Sequence, residues 1–89
     1  MKVHEWSKEK NEWLKKTRKV SFEDVVSTIN EDRVFTIEKS RNRLHQFVYV
    51  VEIERYVFAV PFVIKEDATY FLKTIYPSRK LTKKNLSYI

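Results

Sequence analysis

The apolar residues of this chain change their spacing once, near Arg33, and that change constrains the fold more than any other feature. Before it, apolar side chains recur every three or four residues; after it, they come in runs rich in Val, Ile, Tyr and Phe. The first pattern belongs to helices and the second to strands, so helices come first and a sheet follows. Ser7 is placed to cap a helix running to about Lys19, with Trp6, Lys10, Trp13, Leu14 and Thr17 along one side. That spacing predicts that both tryptophans face the core. Ser21-Phe-Glu-Asp24 sets a hydroxyl before two carboxylates, a variant of the capping box that suits the positive end of a helix. The helix it opens covers 22–29, with Val25, Val26 and Ile29 as its stripe and Asn30 ending it.

Four strands are predicted over 33–38, 44–54, 56–64 and 69–75, with a polar connection at 39–43. Turns near Glu54-Arg55 and Lys65-Glu-Asp67 make the last three a meander. Glu54-Arg55 suits a two-residue hairpin poorly, because that turn favours Asn and Gly, so a longer loop is expected. Pro61 lies inside the third run, where its missing N–H implies an edge, a bulge or a break. Pro77 then takes the chain out of the sheet, and Thr82 is expected to cap a short basic helix running into Leu86. The expected architecture is α+β: two N-terminal helices, a four-stranded antiparallel sheet and a short C-terminal basic segment. At 89 residues this is one domain, 1–89, since two cores would each be too small.

What the chain lacks removes whole classes of function. It has no glycine, so the phosphate cradles of nucleotide-dependent enzymes, which need glycine where backbone approaches ligand, are excluded. It has no cysteine, which removes disulfides, thiolate zinc sites and thiol nucleophiles. His4 and His45 stand 41 positions apart with no partner motif, so neither a metal nor a cofactor is expected. The start is polar and unlike a signal peptide, and the longest charge-free apolar run, Tyr56–Ile64, is about half of a membrane span. A cytoplasmic protein with no membrane partner is the expectation.

Eighteen Lys and Arg outnumber twelve Asp and Glu, and the excess is gathered at the two ends. Residues 8–19 carry six cations against Glu9 and Glu12, an interleaving that reads first as a solvated helix face. Residues 73–89 carry five cations and no acid, which points to a polyanion. The candidate site is there. Arg79 presents a planar fork to phosphate and would stabilise the charge of a phosphoryl transition state. Lys80 or Lys83 would transfer protons, and Tyr76 would stack on a base or act as an acid. Ser78, Thr82 and Lys84, with Lys10 from the first segment, are expected RNA contacts. His45, by strand alternation, falls beside Phe47 and Tyr49 as a core-edge residue, and His4 lies in a terminus expected to fray. Glu52 and Glu54 read as a solvated strand face; as bases they would have to approach the C-terminal cluster.

The two ends together resemble one family. Glu5-Trp6 followed by Lys10-Asn11, and then Val20-Ser-Phe-Glu-Asp-Val25, is similar to the opening of BrnT-type toxins; Ile75-Tyr-Pro-Ser-Arg-Lys-Leu-Thr-Lys-Lys84 resembles their Ile-Ser-Ala-Arg-Arg-Ala-Thr-Arg-Arg segment. The resemblance implies a RelE-like fold and a metal-independent endoribonuclease that inhibits translation, the toxin of a bacterial type II toxin–antitoxin pair. It also implies a separately encoded antitoxin as partner, with operator DNA bound only through the antitoxin complex. Two places depart from the pattern: Arg18-Lys19 stand where the family has His-Gly, and Asn85 where it has glutamate. Chemistry carried by those residues elsewhere falls to others here, or is weaker. The competing readings are a non-catalytic basic module that binds nucleic acid, and a cationic face that serves only an antitoxin.

Overall fold

The computed structural model describes residues 3–40 and 45–85, of Asn85 the backbone alone. Within them the chain runs β1 (His4–Trp6), α1 (Lys8–Thr17), α2 (Phe22–Asn30), β2 (Val34–Lys39), β3 (Gln46–Ile53), β4 (Tyr56–Ile64), β5 (Tyr70–Leu72), β6 (Tyr76–Pro77) and α3 (Arg79–Asn85). The class is α+β as expected, with a third helix in the C-terminal basic segment after the two N-terminal ones, but the described residues form a six-stranded sheet, not the expected four strands. Most of the connection at 39–43, the start of the second predicted strand at Leu44 and the helix end at Leu86 lie outside the described residues.

Both N-terminal helices start where their caps predict. The Ser7 hydroxyl accepts from the Lys10 N–H. Ser21 and Asp24 close a reciprocal box, each side chain accepting from the other's backbone N–H. Asn11 joins the two helices: its Oδ1 accepts from Phe22 N–H and its Nδ2 donates to Glu23, both at 2.8 Å. The apolar stripe of α1 is narrow, since only Asn11 and Leu14 are buried. Trp13 lies about 130° around the helix from that line and is exposed, contrary to the expectation for both tryptophans. Trp6 belongs to β1 and stacks on Phe22 at 5.6 Å.

The sheet order is β1-β5-β4-β3-β2, with β6 on β4 beyond the end of β5. β1 pairs parallel with β5, Val3 C=O accepting from Tyr70 N–H. A three-residue parallel strand has no period of its own, so the sequence pattern assigns it to a fraying end. Glu54 and Arg55 do make a two-residue hairpin, at φ 51° and 66°, with Ile53 facing Tyr56. The longer loop expected there is not formed, and the left-handed backbone is carried by residues that do not favour it.

Pro61 sits in the central strand β4 and is tolerated because of where its nitrogen points. Its C=O accepts from Lys73 N–H, so its nitrogen also faces the outer flank, away from β3. The outer partner changes at that point. Leu72 pairs with Phe62 and Tyr76 with Ala59, three steps along β4 against four along the outer chain. One residue is therefore bulged between β5 and β6, at the place where β4 has an acceptor but no donor. The single strand predicted over 69–75 is thereby cut short at Leu72. The sheet continues through Pro77, which pairs with Phe58, and the chain leaves it one residue later than expected, at Ser78.

Helices cover both faces of this sheet. On one, Leu14, Phe22 and Val25 pack against Tyr49, Val51, Ile53, Phe58, Val60, Phe62 and Leu72. On the other, Val50 and Val57 are fully buried with Leu81 of α3 against them. Alternation along β3 and β4 thus separates a large core from a small one.

Candidate nucleic-acid interface

The C-terminal basic segment is held by side chains that point inward. Seven residues are too few for a helix to persist alone, so α3 depends on its contacts. Ser78 is its cap, with Oγ accepting from Leu81 N–H at 3.1 Å. Thr82, expected as the cap, lies a turn inside: it accepts from Val57 N–H at 3.0 Å and donates to Ser78 C=O at 2.8 Å. The helix begins four residues earlier than that expectation because Ser78 supplies the first hydroxyl after Pro77.

With Leu81 and Thr82 turned to the sheet, the other positions fall on the outer face. Arg79, Lys80, Lys83 and Lys84 span an arc of about 140° at 100° per residue, and all four are exposed. Among the described residues none of them pairs with a carboxylate; the ion pairs are Lys15–Glu12, Arg33–Glu31 and Lys65–Glu5. The first basic segment thus compensates part of its charge internally, and α3 does not. Tyr76 pairs with Ala59, which shares a face with Val57, so its ring stands on the α3 side of the sheet and is 41% exposed. The bulge beside Pro61 decides this, because a register one residue different would turn Tyr76 to the opposite face.

Tyr76, Ser78, Arg79, Lys80, Thr82, Lys83 and Lys84 are therefore gathered at one end of one sheet face. Lys10 is not among them. It lies on α1, across the sheet, with its Nζ 4.4 Å from the centre of the Trp13 ring. The hydroxyls of Ser78 and Thr82 already hold the helix in place.

Neither histidine joins the cluster. His4 is anchored in β1 rather than fraying: its Nε2 is 3.2 Å from the Tyr49 hydroxyl, and its partner Tyr70 shares the face opposite α3. His45 is exposed in a turn at φ 63°, not at the core edge, because strand alternation begins only at Gln46. A carboxylate does share the sheet face of the cluster. Glu52 pairs with Val57, the residue whose N–H is bound by Thr82, so its side chain emerges on the α3 face, half-buried. Alternation shows that Glu52 leaves β3 opposite Val51; that the same face receives α3 follows only from the docking of Leu81. Arg18 is the other residue the sequence leaves unassigned here: its guanidinium donates to Ile75 C=O, just before Tyr76.

In chemical terms the face offers a planar guanidinium and three ammonium groups to phosphates, a phenol to a base or leaving oxygen, and a carboxylate as proton acceptor. Among the described residues no group of three His, Cys, Asp or Glu side chains is arranged to hold a metal. Among the described residues no helix is long and apolar enough to cross a membrane. No protein-family model matches the chain, and neither the curated proteins nor the solved structures include a significant match.

Proposed function

We propose that the protein is an endoribonuclease that cleaves RNA without a metal, the toxin of a type II toxin–antitoxin pair. The observation that carries this reading is the unpaired cationic face of α3 with Tyr76 and Glu52 on the same side of the sheet. Lysines and arginines in a row repel one another and are relieved by a polyanion. In the proposed step Glu52 takes the proton of the ribose 2′-hydroxyl, whose oxygen attacks phosphorus. The bond to the 5′-oxygen breaks, and that oxygen takes a proton from Tyr76 or Lys80. Arg79, with Lys83, stabilises the charge on the phosphoryl oxygens, and the products are a 2′,3′-cyclic phosphate and a 5′-hydroxyl.

The resemblance to BrnT-type toxins supports the same reading, and it gains from Lys19. That residue has φ 59°, the left-handed backbone that glycine adopts most readily, where the family has glycine. An antitoxin would neutralise the protein by covering the cationic face, and operator DNA would be bound by the complex. A second reading, RNA binding without cleavage, is favoured by the commitment of Ser78 and Thr82 to holding α3.

Incubation with a defined RNA in EDTA separates the two. Wild type is expected to leave cyclic phosphate ends, and Arg79→Ala to be slower by roughly 100- to 1,000-fold. Cleavage undiminished in Arg79→Ala would remove Arg79 from the site, and binding without cleavage by wild type would select the second reading.

A further inference from the structure

Trp13 is the largest side chain the fold leaves in solvent, 43% exposed on the outer face of α1. Indole is costly to expose, and nothing in the packing of α1 calls for it there, since Asn11 and Leu14 already make the buried line. Two cations attend the ring: the Lys10 ammonium at 4.4 Å and the Arg18 guanidinium at 5.0 Å from its centre. They differ in freedom. Arg18 is tethered by its bond to Ile75 C=O, whereas Lys10 has the flexible stem of a lysine.

That tether ties the Trp13 site to the candidate interface. Ile75 is the residue before Tyr76 and four before Arg79, so the carbonyl that holds Arg18 is at most about 14 Å from the start of the α3 cations along an extended chain. An exposed ring and two cations on α1 and its C-terminal cap thus lead around the sheet edge at β6 to an exposed ring and four cations on α3. On its other flank Trp13 borders a shallow groove lined by Lys8, Glu9, Glu12 and Lys16, a mixture of signs that does not favour phosphate. The path for a polyanion lies on the Arg18 side.

Cations alone would serve duplex or an acidic protein surface equally well. Aromatic rings interleaved with cations fit single strands, whose unpaired bases stack while their phosphates meet the charges. We infer that Trp13, with Lys10 and Arg18, is a stacking subsite for one unpaired base of single-stranded RNA. A base on the indole displaces the lysine, whose ammonium turns to a flanking phosphate, while Arg18 keeps its place. The inference rests on the proposal that the basic face holds RNA, and assigns to it a second contact on a different helix.

The test measures binding of an uncleavable 2′-O-methyl oligouridine, and of a duplex of the same length and chemistry, to wild type, Trp13→Ala and Trp13→Phe. Trp13→Ala is expected to weaken binding of the single strand by about 5- to 150-fold, the range for losing one stacked base. Binding of the duplex and the salt dependence should be unchanged, since no charge is lost, and Trp13→Phe should recover part of the affinity. Thermal melts show whether each variant is folded. Wild-type affinity for the single strand in a folded Trp13→Ala would overturn the stacking subsite and leave RNA binding standing. An equal loss for single strand and duplex would also overturn it, by making Trp13 structural. Failure of wild type to bind either RNA would instead overturn the proposal that the basic face holds RNA.

Discussion

Absence of glycine has a conformational consequence as well as a functional one. Lys19, Asp32, His45, Glu54, Arg55 and Ala68 all have positive φ, and all sit where a helix ends or a hairpin turns. These are places where glycine commonly serves, and a side chain there costs about 1–2 kcal/mol. Asp and His tolerate the left-handed region better than most, but Ala68 has no polar group to compensate. It closes the β4–β5 turn, its N–H donating to Lys65 C=O at 2.8 Å. Ala68→Gly is expected to stabilise the protein by about 0.5–1 kcal/mol, the strain relieved less the entropy glycine loses on folding. Urea denaturation would register it as a higher midpoint at unchanged slope; an unchanged or lower midpoint would show that the turn is not strained.

Elements in this protein are held by polar side chains at their ends as much as by apolar faces. The Ser7 and Ser21 caps were legible because a hydroxyl before a helical pattern acts locally, within three residues. The role of Thr82 is not legible for the opposite reason: its partner, Val57 N–H, is 25 residues away. Thr82→Val keeps the shape, removes the hydroxyl and leaves that N–H without its acceptor. A loss of about 1–2 kcal/mol is expected, typical for an orphaned, partly buried donor. Hydrogen exchange at Val57 would read it directly, and RNA affinity should fall with it, because α3 carries four of the cations. Unaltered exchange at Val57 would mean that Leu81 alone secures the helix.

Over the whole molecule, one face of the sheet packs around Tyr49, which is nearly inaccessible on β3, stacked on Phe62 of β4 at 4.3 Å and within reach of His4 on β1. Burial, with Tyr70 beside it, pushes its phenol up to about 12. In the unfolded chain the same phenol loses its proton near pH 10. Between those values the folded state holds more protons, so this contribution to stability is complete below pH 10 and is lost as pH rises toward 12. Tyr49→Phe should make stability less dependent on pH in that window, while costing about 1 kcal/mol at pH 7 through the lost bond to His4. Denaturation midpoints followed from pH 7 to 12 test both; parallel curves for the two proteins would show that Tyr49 does not set the alkaline limb.

What the sequence by itself determined is whatever acts over a few residues: the change from helical to strand spacing, both N-terminal caps, the bounds of β4 at Tyr56 and Ile64, and a basic segment beginning where a strand ends. Its composition also excluded glycine-built phosphate loops and thiolate chemistry. The tertiary structure alone decided what depends on faces and partners. Trp13 points outward because Asn11 and Leu14 take the inner line of α1. β1 exists because β5 offers it an edge. Tyr76 stands on the α3 face because Pro61, lacking a donor, meets a one-residue bulge, and Glu52 reaches that face because Leu81 docks over Val50 and Val57. In each case the cause is a register or a packing contact between distant residues, and spacing along a chain records neither.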